Sequence, residues 1–378
     1  MTRVAHVTDA YLPRLGGIET HVDGLARAQS AAGDDVHVLT TTYGPPARPD
    51  SGPEVHRATR AGLRRVLAGG AFDVVHVHVS VFSPLGMSLT AAACSLGLPV
   101  AVTVHSMWPD HQALVRPAGA GLQLARRPVA WSTVSASAAR PLRRVLGDGV
   151  PVSIVPNAVD VDWWRGGERP GESDARGAEV VVISLMRMAA RKRPVPLLRA
   201  MRRARDLVDP AVRMRLVIGG DGPQQARVRR LVGRWGMSDW VDLPGRLTRE
   251  EARALLHASD VYVAPADLES FGIAALEARA VGLPVLAKRA GGVGEFVSDG
   301  TEGLLVGDDT ELALAVGRLV SRPDLRREIR AHNGAVPPTT TWSRALADNA
   351  ALYRRAAELA GSGRAAGRRR PDEAAVSR

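Results

Sequence analysis

The sequence predicts an α/β protein with two doubly wound domains, each a parallel sheet covered by helices. Valine-rich runs bounded by turn residues alternate with stretches of helical period. Such near-continuous apolar strands are typical of parallel sheets buried on both faces. The 378 residues also exceed what one hydrophobic core usually supports, so we expect two domains and a cleft. The expected strands are 4–8, 36–41, 74–79, 100–104, 131–134, 180–185, 214–218, 261–264 and 285–287, with helices such as 19–32 and 194–207 between them.

The boundary between the domains is expected in a polar, glycine-rich stretch. Residues 165–174 have no apolar period, which is typical of a linker. The repetition of Gly97-Leu98-Pro99 as Gly282-Leu283-Pro284 favours two similar halves, although Gly followed by Pro is also a common helix stop. We predict a first Rossmann-like domain over 1–161, a linker over 162–178, a second Rossmann-like domain over 179–341, a helix over 342–360 that crosses back to the first domain, and a disordered basic tail over 361–378.

The surplus of positive charge does not by itself predict a nucleic-acid partner. Basic residues number 50 and acidic residues 39, which gives +11, but only Lys192 and Lys288 are lysines. An arginine excess beside abundant alanine and glycine indicates composition bias. Aromatic residues make up 4% of the chain and no nucleic-acid-binding motif is evident. A basic nucleic-acid-binding protein is therefore kept only as a distant alternative.

The single cysteine and the first residues predict a cytoplasmic protein. Cys94 has no partner for an intramolecular disulfide, and the chain starts in a strand pattern without a charged leader. The uncharged stretch 84–104 is long enough to cross a bilayer, but Gly97-Leu98-Pro99 interrupts it. We therefore expect a buried helix followed by a buried strand there. The arginine-rich surface also suits a peripheral contact with an anionic inner membrane face.

Functional residues are expected just after the strands, because ligands of open α/β sheets bind outside the carboxyl ends of the strands. After the first strand, Gly16 and Gly17 open a helix whose N–H groups suit a phosphate; a tight turn is the alternative. The pattern is not the Gly-x-Gly-x-x-Gly dinucleotide fingerprint, which argues against a nicotinamide enzyme.

Two groups of candidates follow the first two strands of the second domain. Arg187 and Lys192 suit the oxygens of a pyrophosphate, although a solvated basic helix end gives the same pattern. Gly220 lies in a run of small residues that ends the next strand, which suits a ligand pressed against the backbone.

A third group, Glu269 to Glu277, is the most specific. Glu269 precedes a helix that begins near Gly272, and Glu277 lies one to two turns inside that helix. One carboxylate is thus placed for ligand hydroxyls at the helix N-terminus, whose N–H groups suit phosphate, and the second lies deeper along the same face.

The order of these motifs resembles the retaining glycosyltransferases of family 4, over about residues 3–355. This resemblance implies the GT-B fold, with an amino-terminal acceptor domain, a carboxy-terminal nucleotide-sugar domain and catalysis in the cleft. The motifs that carry it are Gly16-Gly17-x-Glu19, Thr103-Val104-His105-Ser106, Pro156-Asn157-Ala158-Val159-Asp160, Arg187 with Lys192, Gly220-Asp221-Gly222-Pro223, and Glu269 to Glu277.

The resemblance also implies roles for single residues. Arg187 and Lys192 would hold the donor pyrophosphate, with Gly16 and Gly17 closing over it. Glu269 would contact the transferred sugar, with His105 beside the sugar as a positioning hydrogen-bond partner rather than a general base. The other implied donor contacts are Gly220, Arg246 near the base, Phe271, Gly272, Ile273, and Glu277 on the ribose hydroxyls; the acceptor candidates are Glu19, Trp108, Asp110 and His111.

The chain departs from the family pattern at three positions. The family usually has glycine where Ala158, Met186 and Arg193 stand. None of these differences removes a charged or catalytic group. We therefore expect activity to be retained and only the backbone near the pyrophosphate to differ.

Neither a metal nor another cofactor is expected. Asp160-Val161-Asp162 matches the Asp-x-Asp pattern of metal-dependent glycosyltransferases, but it lies at the domain crossover, where the family has a structural connection. His76 and His78 are two residues apart on an apolar strand. We expect them to face opposite sides of that strand and to be buried without sharing an ion.

The predicted activity is retaining transfer of a hexosyl or N-acetylhexosaminyl group from a UDP- or GDP-sugar to a hydroxyl of a small-molecule, glycan or lipid-linked acceptor. A front-face departure of the nucleoside diphosphate is favoured over a carboxylate nucleophile, since the resemblance assigns Glu269 and Glu277 to hydroxyl binding. A sugar-nucleotide epimerase or a phosphorylase on the same fold is the alternative.

Overall fold

The computed structural model describes residues 1–14, 16–45, 52–107, 127–147, 149–167 and 179–368. The chain divides into two compact units, which we call unit 1 (Met1–Ala158 with Trp342–Arg378) and unit 2 (Val159–Thr341). Each unit is built on one parallel sheet with helices on both faces. The boundary differs slightly from the predicted one, because the start of the predicted linker forms a short helix in unit 2 whose N-terminus is capped by Asp160.

The two sheets have the same central strand order. Unit 1 has the order β3-β2-β1-β4-β5-β6-β7, and unit 2 has the order β10-β9-β8-β11-β12-β13; all neighbouring pairs are parallel. The strands are β1 (Arg3–Thr8), β2 (Asp35–Thr40), β3 (Glu54–Arg57), β4 (Val74–Val79), β5 (Val100–Val104), β6 (Val129–Thr133), β7 (Val152–Ile154), β8 (Glu179–Leu185), β9 (Arg213–Gly219), β10 (Val241–Gly245), β11 (Val261–Ala264), β12 (Val285–Lys288) and β13 (Gly303–Val306).

The helices follow the strands in the doubly wound pattern. They are α1 (Gly17–Ala31), α2 (Arg60–Gly69), α3 (Pro84–Ser95), α4 (Ala136–Leu146), α5 (Val161–Arg165), α6 (Pro194–Arg205), α7 (Gln225–Arg234), α8 (Arg249–His257), α9 (Ile273–Val281), α10 (Asp309–Ser321), α11 (Pro323–Ala335) and α12 (Trp342–Arg368). The uncharged stretch 84–104 contains α3 and β5, so the prediction of a helix and then a strand is confirmed. None of the described helices is long and apolar enough to span a bilayer.

All nine predicted strands are present, and the four that were not predicted lie at the edges of the sheets. They are β3 and β7 in unit 1, and β10 and β13 in unit 2. Helix α12 extends beyond its predicted end at 360 to Arg368, into the segment predicted as a disordered tail. The alanines and arginines of that segment favour a helix, and Ser362 Oγ donates to the carbonyl of Glu358 one turn earlier. Residues 369–378 of the predicted tail lie outside the described residues.

The sheet of unit 1 has two chemically different faces. One face is apolar: Val75, Val77 and Val102 pack in one buried cluster with leucines of α2, α3 and α4. The other face lies under α1 and α12 and is largely polar in its centre, with His76 and Thr103 among its buried side chains. This arrangement brings residues from both ends of the chain together.

Helix α12 is seated on unit 1 by small residues and a tryptophan. A methyl group at Gly24 of α1 would lie 2.4 Å from the Trp342 ring, so only glycine lets α12 approach this closely. Trp342 also stacks on His21, with 5.8 Å between ring centroids. Leu352 and Ala356 complete an apolar cluster with residues of β1, β4, β5 and β6.

Candidate functional site

Lys192 and Glu269 meet at the carboxyl ends of two neighbouring strands of unit 2. Strands β8 and β11 are adjacent in the sheet, and the strand order reverses between them. Lys192 lies at the end of a short 3₁₀ turn after β8, and Glu269 lies in the loop after β11. The Lys192 Nζ donates to Glu269 Oε2 at 2.6 Å. Because ligands of doubly wound sheets bind at this switch point, the pair occupies the expected ligand position.

The loop that carries Glu269 is held by a glycine pair after β12. The N–H of Gly292 donates to the Glu269 carbonyl at 2.8 Å. A methyl group at Gly292 would lie 2.3 Å from the Ser270 carbonyl oxygen, and one at Gly291 would lie 3.2 Å from the Glu269 carbonyl oxygen. The glycines therefore let one loop pack directly on another, which fixes the backbone of Glu269.

The loop that carries Lys192 is held by charges that the sequence analysis did not predict. Arg193 has φ of +60°, a left-handed conformation that explains why glycine suits this position. Its guanidinium forms ion pairs with Asp267 and Asp309. Lys288 Nζ also donates to Asp309 Oδ1 at 2.8 Å. Both lysines of the chain thus lie in charge networks at the same edge of the sheet.

Arg187 is exposed just after β8. Its side chain forms no ion pair among the residues that the structure describes. The neighbouring Met186 and Met188 hold this segment against the loop after β9, since Met188 N–H donates to the Asp221 carbonyl at 2.7 Å.

Gly220 is pressed closely by backbone, but by the backbone of the protein itself. It has φ of +121°, and a methyl group there would lie 1.9 Å from the Met186 carbonyl oxygen. The close approach inferred from the small residues is therefore made by the segment after β8. Its assignment as a donor contact stays a prediction.

The N-terminus of α9 is formed without a side-chain cap. Gly272 is the N-cap residue with φ of +96°, and Ile273 is the first helical residue. The preceding Phe271 is buried against Phe296, with 5.2 Å between ring centroids. The N–H groups of the first turn thus have no side chain of the N-cap to satisfy them, which suits an anion.

Glu277 lies inside α9, as predicted. Burial raises its pKa to about 8, and the charge of Arg249 counteracts this only partly. The neutral form of the carboxyl group is therefore favoured near pH 7, where it both donates and accepts hydrogen bonds. Arg246, the predicted neighbour of the base, is exposed just after β10.

In unit 1, the glycine pair after β1 lies under a carboxylate. Gly16 is the N-cap residue of α1, and a methyl group on it would lie 2.4 Å from Glu19 Oε2. Glu19 is buried and pairs with Arg14, with 3.2 Å between Nε and Oε1. The carboxylate of Glu19 therefore occupies the space beside Gly16 and Gly17 that was predicted to suit a phosphate.

His105 follows β5 and is buried. Its Nε2 lies 3.0 Å from His78 Nδ1. Burial lowers the pKa of His105 to about 4, so the ring is neutral near pH 7.

The prediction for His76 and His78 is half right. Both are buried, as expected, but the expectation that they face opposite sides is wrong, because the ring centroids lie 4.1 Å apart. Residues two apart on a strand share a face. Trp108, Asp110 and His111, the remaining acceptor candidates, lie outside the described residues.

Solved structures with the same fold identify the class of protein. HepE from Anabaena, solved with UDP and glucose, superimposes with a TM-score of 0.71 at 17% identity, covering 98% of this chain and 100% of HepE. A glycosyltransferase from Rickettsia africae gives 0.69 at 14% identity, covering 93% and 98%. The predicted two-domain α/β architecture, the GT-B fold of glycosyltransferases, is therefore confirmed.

Sequence comparisons narrow the class to a family. The model "Glycosyltransferase Family 4" matches residues 15–163, and "Glycosyl transferases group 1" matches residues 168–333. A D-inositol 3-phosphate glycosyltransferase of Frankia alni is 31% identical over 85% of this chain and 89% of its own length. One subunit of the phosphatidylinositol N-acetylglucosaminyltransferase of Arabidopsis thaliana is 25% identical over 84% and 74%. The chain belongs to glycosyltransferase family 4, as its motifs predicted.

Proposed function

We propose that this glycosyltransferase transfers a hexosyl or N-acetylhexosaminyl group from a UDP- or GDP-sugar to an acceptor hydroxyl with retention at the anomeric carbon. The observation that carries the proposal is the Lys192–Glu269 pair at the switch point of unit 2. The lysine is 27% exposed and the carboxylate 14% exposed, so the two charges are partly shielded but reachable.

The pair suits both ends of a sugar diphosphate. A diphosphate offers oxygens to the ammonium of Lys192, and sugar hydroxyls donate to the carboxylate of Glu269. Each group exchanges its internal partner for a ligand, so neither charge is left buried and unpaired. Arg187 and the N-terminus of α9 add positive potential near the same strand ends.

The proposed reaction needs no protein nucleophile. The bond between the anomeric carbon and the diphosphate oxygen breaks, and the acceptor oxygen bonds to the same face of that carbon. The proton of the acceptor hydroxyl passes to the departing diphosphate oxygen. Arg187 and Lys192 stabilise the charge that develops on the leaving group, an electrostatic effect often worth a factor of about 10² to 10³ per group. His105 positions the sugar by a hydrogen bond.

We propose that the reaction is independent of a divalent metal. The first carboxylate of the Asp-x-Asp pattern, Asp160, accepts from the N–H of Trp163 at 3.0 Å and caps α5. This structural role supports the proposal that positive charge at the diphosphate comes from arginine and lysine. Activity that survives EDTA supports metal independence, and activity restored only by added Mg²⁺ or Mn²⁺ contradicts it.

A small phosphorylated polyol is the first acceptor to test. Several relatives are named as D-inositol 3-phosphate glycosyltransferases, which supports this class for the present chain. A lipid-linked polyol in anionic vesicles is the second acceptor, because the arginine excess suits a peripheral membrane contact at the cytoplasmic face.

The decisive experiment is a panel of UDP- and GDP-sugars, read by release of the nucleoside diphosphate and by thermal shift. At least one donor should be hydrolysed slowly or stabilise the fold. Lys192→Ala should lower kcat/KM by about 10² to 10³. Arg191→Ala is the matched control, since it removes an exposed neighbouring charge and should leave the rate unchanged.

Three outcomes would count against the proposal. No response to any donor contradicts a nucleotide-sugar enzyme. Release of a sugar phosphate without a nucleotide indicates a phosphorylase, and recovery of an isomerised donor indicates an epimerase. An equal loss in Lys192→Ala and Arg191→Ala removes the special role of Lys192.

A further inference from the structure

A continuous chain of hydrogen bonds crosses the polar face of the sheet in unit 1 and ends at His105. It starts at a backbone carbonyl of β5 and passes through hydroxyls, histidines, a tyrosine of α12 and a glutamine of α1. The links are Ser132 Oγ to Val102 O at 3.3 Å, Ser132 Oγ to Thr103 Oγ1 at 2.7 Å, Thr103 Oγ1 to His76 Nε2 at 2.7 Å, His76 Nδ1 to Tyr353 OH at 3.0 Å, Tyr353 OH to Gln29 Nε2 at 3.0 Å, Gln29 Oε1 to His6 Nε2 at 2.6 Å, His6 Nδ1 to His78 Nε2 at 2.9 Å, and His78 Nδ1 to His105 Nε2 at 3.0 Å.

The carbonyl at the start gives this chain a direction. A carbonyl oxygen only accepts, so Ser132 donates its single proton to Val102. Ser132 must then accept from Thr103. Thr103, having donated its own proton, must accept from the Nε2–H of His76.

The direction is passed on by Tyr353 and Gln29. A neutral His76 with its proton on Nε2 accepts at Nδ1, so the hydroxyl of Tyr353 donates to it. The Tyr353 oxygen then accepts from the amide nitrogen of Gln29. This contact turns the amide oxygen of Gln29 towards His6, which must donate from Nε2.

Two further histidines complete the chain. His6 accepts at Nδ1 from the Nε2–H of His78, and His78 accepts at Nδ1 from the Nε2–H of His105. In this direction every link pairs one donor with one acceptor. All four histidines are neutral near pH 7, because burial lowers their pKa values, to about 4 for His6 and His105.

We propose that Tyr353 and Gln29 are positioning residues that hold His105 in the tautomer with its proton on Nε2, so that Nδ1 acts as a hydrogen-bond acceptor for a hydroxyl of the donor sugar. The role of the sugar rests on the proposed function, whereas the tautomer does not. A ring fixed in this way receives a hydroxyl proton without rearranging, which favours binding geometry over proton transfer.

The test is the tautomer of His105 in the protein without substrate. Histidine labelled with ¹⁵N reports which ring nitrogen carries the proton, and His105→Gln assigns the signal. The wild-type protein should show His105 with its proton on Nε2 alone. Tyr353→Phe frees the amide of Gln29 to rotate, so both tautomers of His105 should appear.

The matched control is Tyr11→Phe. Tyr11 is also in unit 1 and donates to Asp23 Oδ1 at 2.7 Å, outside this chain of hydrogen bonds. Its replacement removes a comparable hydrogen bond and should leave the His105 signal unchanged. Gln29→Glu is a second variant: a carboxylate still accepts from His6, so His105 should keep its proton on Nε2.

A kinetic measurement connects the tautomer to activity. The rate of nucleoside diphosphate release by Tyr353→Phe should fall in proportion to the lost fraction of the Nε2–H tautomer. A His105 proton on Nδ1 in the wild type, or an unchanged His105 signal in Tyr353→Phe, overturns the proposal. If the tautomer is as expected but no donor is turned over by the wild type, the proposed function fails and the tautomer assignment stands.

Discussion

The two units share a strand order but hold their candidate residues by different forces. In unit 1, His105 is held in the interior by neutral hydrogen bonds. In unit 2, Lys192 and Glu269 are partly exposed and held by ion pairs and by glycine-mediated contacts between loops. The difference teaches that one sheet architecture supports both a pH-sensitive neutral interior and a charged rim.

The sign of the pKa shifts gives the two units opposite responses to pH. The buried histidines of unit 1 have lowered pKa values, so their neutral forms favour the folded state. Glu277 of unit 2 has a raised pKa, so its protonated form favours the folded state. Unit 1 should therefore lose stability on acidification, and Glu277 should weaken unit 2 on alkalinisation.

The largest expected effect is acid destabilisation of unit 1. Five buried histidines, at positions 6, 21, 76, 78 and 105, take up protons on unfolding as the pH falls below their unfolded pKa of 6.5. Each contributes on the order of 1 kcal/mol per pH unit between its unfolded and folded pKa values. Hydrogen exchange in steps from pH 7 to about pH 4.5 should show protection in β1, β4 and β5 falling first.

Strands β8 and β9 of unit 2 are the internal control for the acid experiment. The carboxylates Asp299, Glu302 and Asp309 have lowered pKa values, so their stabilisation is lost only as the pH falls below about 4. Loss of protection in β8 and β9 before β1 and β4 would refute the opposite pH responses.

The second effect tests the loop contacts of unit 2. Gly220→Ala places a methyl group on the Met186 carbonyl and forces a residue with a side chain to φ of +121°. We expect a loss of more than about 2 kcal/mol in the free energy of unfolding, measured in urea. Gly233→Ala is the control: a methyl group there has no neighbour within 4 Å, and alanine favours α7. Equal midpoints for the two variants would show that the loop after β8 yields easily.

The smallest effect concerns Glu277. Glu277→Gln removes a carboxyl group that is ionised in the unfolded chain above about pH 4.5 but protonated in the folded protein up to about pH 8. Relative to this variant, the wild type should lose about 1 kcal/mol per pH unit across that interval. Melting temperatures at pH 6 and pH 8 measure the difference. A gap between wild type and variant that does not widen from pH 6 to pH 8 would contradict the raised pKa.

Sequence reasoning found the centres of both sheets and missed their edges for one physical reason. Central strands such as β4 and β11 are buried on both faces and are read as continuous apolar runs. The edge strands β3 and β7 are partly exposed and short, so their residues lack that pattern. β13 is buried but has only four residues and starts with Gly303, which packs on the Val285 carbonyl.

The candidate site was predicted where it follows strand ends and missed where it depends on distant partners. Lys192 and Glu269 were predicted separately, and the structure pairs them. The ion pairs of Arg193 join residues 74 and 116 positions apart in the chain, which no local pattern reveals. The grouping of His76 with His78 was available from the alternation of strand side chains, but it was read wrongly.

The position of α12 also sets an order for biosynthesis. Residues 1–158 leave the ribosome long before Leu352, Tyr353 and Ala356, which cover the polar face of their sheet. Unit 2 is continuous in sequence and emerges complete while unit 1 still lacks its last helix. Domains commonly fold from the amino terminus during synthesis, but here the first unit to be translated is the last to be finished.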